Sequence, residues 1–193
     1  MRLTVLFCVI ALLLTACANE QTACPSLPGG GSYCLQAGGP VFSIVQQSSL
    51  KFGERRMSFL TRIENDADGL RFAGLTPLGQ TLLLISWENN VLRAEIPPSM
   101  AEKMSPALLP ALVQIAMWPA EAVRSGLAPT LTLKEEPYRR RILAGNSGDD
   151  EKTKQDVLTI SWEGNLPYTR LRITAPTIGL EIDARTLTEE SRP

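Results

Sequence analysis

The chain has 193 residues, with 19 Lys plus Arg against 20 Asp plus Glu and no histidine. That length suits one domain of about 100 to 200 residues. A charge balance this close to neutral argues against nucleic acid, whose binding draws on clustered cations. The absence of histidine removes the commonest general base, the usual triad partner and most zinc ligand sets.

The chain starts with Arg2, an apolar run over 3–14, and then Leu14-Thr15-Ala16-Cys17. The run is too short for a spanning helix, which needs roughly 20 apolar residues. It does have the charged start, apolar middle and small-residue end of a secretory signal. The four residues resemble the lipobox of bacterial lipoproteins. That likeness implies a signal peptide over 1–16 and Cys17 as the lipidated first mature residue, carrying a diacylglycerol and a second acyl chain such as palmitate. Ala18, where an aspartate would resemble an inner-membrane retention signal, points to the outer membrane, facing the periplasm; neither residue tells the leaflet. Loss of Arg2 with the signal leaves 18 cations to 20 anions.

The segment 17–40 is the expected tether, with Pro25, Pro28, Gly29-Gly30-Gly31 and Gly38-Gly39-Pro40 and almost no periodic apolar pattern. Cys24 and Cys34 remain once Cys8 leaves with the signal and Cys17 is lipidated. In a compartment that permits disulfides they are expected to pair; free thiols or a metal or redox pair are the alternatives, without CxxC spacing or a further soft ligand to support them. A loop this small would gain roughly 2 to 3 kcal/mol from the bond, a local tie.

Strand-like runs follow over 41–47, 55–64, 70–76, 81–87 and 91–96. They are separated by the polar reversal 65–69, the turn Pro77-Leu78-Gly79 and Asn89-Asn90, which suits a two-residue hairpin. Consecutive strands are therefore expected to be antiparallel. The run 81–87 is apolar at both parities and predicts cover on both faces, whereas 169–175 alternates as a strand with one wet face. The period then becomes helical through Leu108, Leu109, Leu112, Val113, Ile115 and Ala116, with Ser105 as N-cap, Pro106 in first position and an end near Trp118-Pro119. A short helix over 120–125 stops at Gly126. Strands return over 130–133, 139–144, 157–162, 169–175 and 178–184, with a polar loop over 145–155. Arg139, Arg140 and Arg141 are expected on a solvated strand edge. The β domain is placed at 41–187, with a tail at 188–193.

The segments Gly69-Leu70-Arg71-Phe72-Ala73-Gly74-Leu75-Thr76-Pro77-Leu78-Gly79-Gln80-Thr81-Leu82-Leu83-Leu84, Leu109-Pro110-Ala111-Leu112-Val113-Gln114-Ile115-Ala116-Met117-Trp118-Pro119 and Gly179-Leu180-Glu181-Ile182 resemble a lipoprotein family with a domain of unknown function. That family occurs in Gram-negative bacteria beside aryl polyene biosynthesis genes. The Thr76-Pro77-Leu78-Gly79 segment followed by an apolar strand, and then a leucine-rich helix before a tryptophan, is also similar in order to the outer-membrane lipoprotein receptor LolB, and this implies an incomplete antiparallel barrel with helices lidding an apolar cavity. The fold class expected is mainly β with one or two helices (α+β), a curved antiparallel sheet or incomplete barrel under a helical lid. Leu82, Leu84, Leu109, Leu112, Val113, Ile115, Met117 and Trp118 are the candidates to line the cavity, the alternative being that they pack a solid core.

The expected function is non-catalytic: a lipid-anchored module that binds or relays an acyl or polyene chain, or the acyl groups of another lipoprotein, with a periplasmic carrier as a possible partner. A scaffold for envelope biosynthesis without a ligand cavity is the alternative. No catalytic residue, metal or cofactor is assigned. An enzyme would need a Ser-Lys dyad or paired carboxylates, and the candidate acids lie in turns where solvation accounts for them. Within the helix, Leu112 is expected to face inward and Gln114 to tolerate a charge.

Overall fold

The computed structural model describes residues 23–102, 104–145 and 154–189. Cys17, the signal segment, residues 146–153 of the polar loop and the last four residues of the tail lie outside the described residues. The elements run β1 (Phe42–Phe52), β2 (Arg55–Asn65), β3 (Gly69–Leu75), β4 (Thr81–Glu88), β5 (Val91–Glu95), α1 (Pro98–Ala101), α2 (Leu108–Met117) and α3 (Ala120–Gly126). They continue with β6 (Leu131–Glu136), β7 (Arg139–Ala144), β8 (Gln155–Glu163), β9 (Arg170–Ala175), a 3-10 turn (Pro176–Ile178) and β10 (Leu180–Glu189).

All ten strands join one curved, unclosed antiparallel sheet in the order β5-β4-β3-β2-β1-β10-β9-β8-β7-β6. The chain enters at the centre and meanders to one edge. It crosses to the other edge through the three helices and meanders back until β10 pairs with β1. The helices thus occupy the one connection whose strands are not sheet neighbours. Local chemistry sets the hairpins: Asn89 and Asn90 turn the chain from β4 to β5 with φ of 52° and 60°, the left-handed values a two-residue turn requires.

Strand register builds the core row by row. Ile44, Ile63, Phe72 and Ile85 stand opposite one another across β1 to β4, all buried. Leu171 and Ile173 on β9 face Ala184 and Ile182 on β10. The inner face carries these rows, and α2 lies among them.

Three expectations change here. On β4 only Leu83, Ile85 and Trp87 are buried, while Leu82 and Leu84 are 38% and 42% exposed on the outer face. The strand lies next to the edge, so its second apolar face has no cover, and these two residues line no cavity beneath the helix. Secondly, α2 is buried on every side, with Leu109 alone of its ten residues half-buried. It is packed between the concave face of the unclosed sheet and the segment carrying Tyr33 and Gln36, as an apolar surface all round requires. Thirdly, the expected tether is part of the core: Leu27, Tyr33 and Leu35 are buried, and β10 continues to Glu189, past the expected domain end.

Candidate functional site

The two ends of the inner face differ, and the closed end starts from the needs of a helix. The last four carbonyls of a helix lack partners within it. Here Arg140 reaches inward from β7 and its Nη1 donates to the carbonyls of Ile115 (3.0 Å), Ala116 (3.3 Å) and Trp118 (2.6 Å). Its Nε donates to Glu135 at 2.7 Å, and its guanidinium lies 5.6 Å from the Trp162 ring centroid. Trp162 in turn stacks on Tyr168. Arg140 is therefore buried, contrary to the solvated edge expected for it, while Arg139 and Arg141 face outward. Arg141 pairs with Asp156.

Gln114, fully buried, fixes the helix from its other side. Its Oε1 accepts from Tyr33 Oη (3.1 Å) and the Gln36 backbone N–H (2.8 Å), and its Nε2 donates to the Gln36 carbonyl (2.8 Å). Gln114 cannot serve as a position that tolerates charge. Burial pushes the Tyr33 phenol well above its ordinary range, against the opposing Arg140 charge, so the hydroxyl stays protonated as the donor. Cys24 and Cys34 are joined by a disulfide that closes the loop carrying Tyr33. Gly39 packs flat on Trp118 at φ +102°; a Cβ there would lie 2.2 Å from the indole.

Midway along the sheet the inner face turns polar. Gln46 Nε2 donates to Thr186 Oγ1 (3.2 Å), Ser48 and Thr61 share a hydroxyl hydrogen bond (3.0 Å), and Thr61 Oγ1 also lies 3.4 Å from the Gln46 carbonyl. Gln46, Ser48 and Thr61 are buried and satisfied, as buried polar groups must be.

Beyond this belt lies the open end. Leu50 and Phe52 continue the same face of β1, paired with Met57 and Arg55 of β2 and with Ile182 and Leu180 of β10. Phe52 and Met57 are each 48% exposed, and Ile178 beside them 40%. Leu78, in the β3–β4 turn at this end, is 88% exposed. The length mismatch explains the bare surface. The ten residues of α2 span about 15 Å, whereas the eleven-residue strands β1 and β2 span about 36 Å.

Of the sequence candidates, Leu109, Leu112, Val113, Ile115, Met117 and Trp118 come together at the closed end. Leu84 instead borders an outer cleft of about 370 Å³ with Ala73 and Ser86 beneath Arg62, Arg71 and Arg93. Arg71 there pairs with Glu64, Asp66 and Glu88. Burial works to raise the Asp66 carboxyl, but hydrogen bonds from Arg71 and the Asp68 backbone, with the Arg71 charge, hold it below the usual range. Sequence reading missed Arg140, Gln114 and the open-end residues. The last had a signal, since Leu50 and Phe52 share the parity of Ile44. Among the described residues no cluster of His, Cys, Asp or Glu is disposed to hold a metal ion, and no helix is long and apolar enough to cross a membrane.

A family model described as "Protein of unknown function (DUF3261)" matches residues 43–187. No curated protein matches the chain. Among solved structures it is similar to a crystal structure described as an outer-membrane lipoprotein-sorting protein domain from Vibrio parahaemolyticus, at 10% identity and a TM-score of 0.37, covering 80% of this chain and 86% of that one.

Proposed function

Because the chain belongs to the DUF3261 family, whose description assigns no activity, we propose from the geometry that it is a lipid-anchored envelope protein that binds a hydrophobic chain, acyl or polyene, without catalysis. One observation carries this reading: past the polar belt the inner face carries an apolar patch of Leu50, Phe52, Met57 and Ile182, bordered at its tip by Arg55, with no element of the described chain laid over Phe52 and Met57. Each methylene of a chain buried there is worth about 0.8 kcal/mol, so a fatty acyl chain has enough length to bind without polar contacts. The belt supports the division of labour. It ends the permanent core with satisfied hydrogen bonds, so the surface beyond it can be occupied or bare without disturbing α2.

Uptake of a fluorescent fatty acid by the mature chain, residue 17 onward with Cys17→Ser, tests this. The unmodified inner face binds the probe. Phe52→Asp and Met57→Asp each weaken binding by at least about tenfold, because a carboxylate on an apolar contact must be desolvated. Leu84→Asp, on the outer face, leaves it unchanged. Absence of uptake, or a loss confined to Leu84→Asp, sinks the reading. In the first case the scaffold alternative takes over, supported by the filled closed end and the outer cleft around Leu84.

The anchor belongs to the same proposal: Cys17 carries the lipid, in the outer membrane. Cell fractionation of Cys17→Ser should move the chain out of the membrane pellet, and its retention there would refute the anchor.

A further inference from the structure

The free end of the β1–β2 hairpin has two unlike faces. Inward stand Phe52 and Met57, half exposed. Outward, Lys51 and Arg56 stand opposite each other at one side of a polar cleft of about 320 Å³ that also holds Arg170, Arg172, Glu181 and Asp183. The two carboxylates are already engaged, Asp183 by Arg170 and Glu181 by Arg172. Lys51 and Arg56 make no ion pair among the described residues, so the cleft keeps an excess of two positive charges. At the tip Arg55 stands opposite Phe52 on the inward face, next to Glu54, and the two add no net charge.

This end is also unpaired along its β2 flank, while β1 pairs with β10 as far as Phe52. Pairing of β2 with β3 begins only at Leu60, whereas its pairing with β1 begins at Arg55. Five residues of β2, about 17 Å of strand, therefore extend past its neighbour on that side. An exposed aromatic and a methionine on one face of a hairpin end with one free flank, with uncompensated lysine and arginine on the other, match a bilayer surface, where apolar groups meet the acyl boundary and cations meet phosphate.

We infer that the β1–β2 hairpin docks on a bilayer surface containing anionic phospholipid, with Lys51 and Arg56 against the phosphates and Phe52 and Met57 in the interface. Docking does not require chain binding at the inner face, although it would place that face beside a source of acyl chains.

Co-sedimentation of the mature Cys17→Ser chain with vesicles tests the inference. Vesicles of phosphatidylcholine mixed with phosphatidylglycerol bind the chain, and pure phosphatidylcholine binds it far less. At about fivefold per cation near the surface, Lys51→Gln with Arg56→Gln lowers partitioning about 25-fold, and added salt weakens the unmodified chain in the same direction. Phe52→Ser with Met57→Ser lowers binding to both kinds of vesicle. The Lys51→Gln, Arg56→Gln chain still takes up the fluorescent fatty acid from solution, so failure of docking and failure of chain binding are read apart. Equal binding to neutral and anionic vesicles, no binding to either, or displacement by inorganic phosphate at matched ionic strength would overturn the inference; the last outcome would make the cleft a phosphate pocket.

Discussion

The two ends of the inner face start from the same sequence pattern and finish in opposite states. At the closed end Ile63, between Arg62 and Glu64 and opposite Ile44, is buried; at the open end Met57, between Arg56 and Ser58 and beside Phe52, is on the same strand and the same face and is half exposed. Alternation decides which face a side chain takes. Cover is decided elsewhere, by the reach of α2 and of the segment carrying Tyr33. The closed end is consequently a problem of polar satisfaction, met for α2 by Arg140 and Gln114 while Trp118 Nε1 and Asn65 Oδ1 stay without partners among the described residues, and the open end is a problem of exposed apolar surface, solved by a ligand in the proposed function.

The largest expected effect breaks the closed end from its polar side. Arg140→Ala leaves the carbonyls of Ile115, Ala116 and Trp118 without their donor, removes the partner of Glu135 and opens space beside Trp162. Removing one member of a buried charged network costs about 3 to 5 kcal/mol. Urea unfolding should show that loss as a lowered midpoint with an unchanged slope. Arg140→Lys recovers only part, since an ammonium cannot present the planar fork that meets several carbonyls. A loss below about 1 kcal/mol would mean that α2 is held by apolar packing alone and that the Arg140 network adds little to the closed end.

Much of this fold was legible because its signals are local. Asn89-Asn90 announced a hairpin, the Leu108 to Ala116 period announced the helix, and strands came one after another with turns between them, so antiparallel neighbours followed. The paired cysteines were visible too. Where reading failed, the deciding partner was distant in sequence. β4 is apolar at both parities, so nothing within it says that Leu83 faces the core and Leu84 the outside; that depends on its place beside the edge strand β5. Arg140 sits in a run of three arginines, and only the carbonyls of a helix some 22 to 25 residues earlier distinguish it from Arg139. Gln114 looked like a wet position on a helix because the segment that buries it, around Tyr33 and Gln36, has too many glycines and prolines to look like part of a core.

The smallest expected effect is the sharpest test of the comparison. Ile63 and Met57 lie on β2, on one face, separated by the polar position Thr61 and the half-buried Phe59. Ile63→Ala removes packed methyl groups from a row shared with Ile44 and Phe72 and should cost about 3 kcal/mol, the transfer of the lost atoms plus the cavity left behind. Met57→Ala removes as much apolar volume from a site that is 48% exposed, and stability should stay within about 0.5 kcal/mol, as for other exposed positions away from special contacts. The ligand reverses the order. With a saturating fatty-acid probe, the unmodified chain and Ile63→Ala should both gain stability through mass action on the native state, whereas Met57→Ala should gain less because part of the contact surface is gone. If Met57→Ala instead costs as much as Ile63→Ala without any probe present, the open end is already packed by the chain itself, and both ends of the face are core.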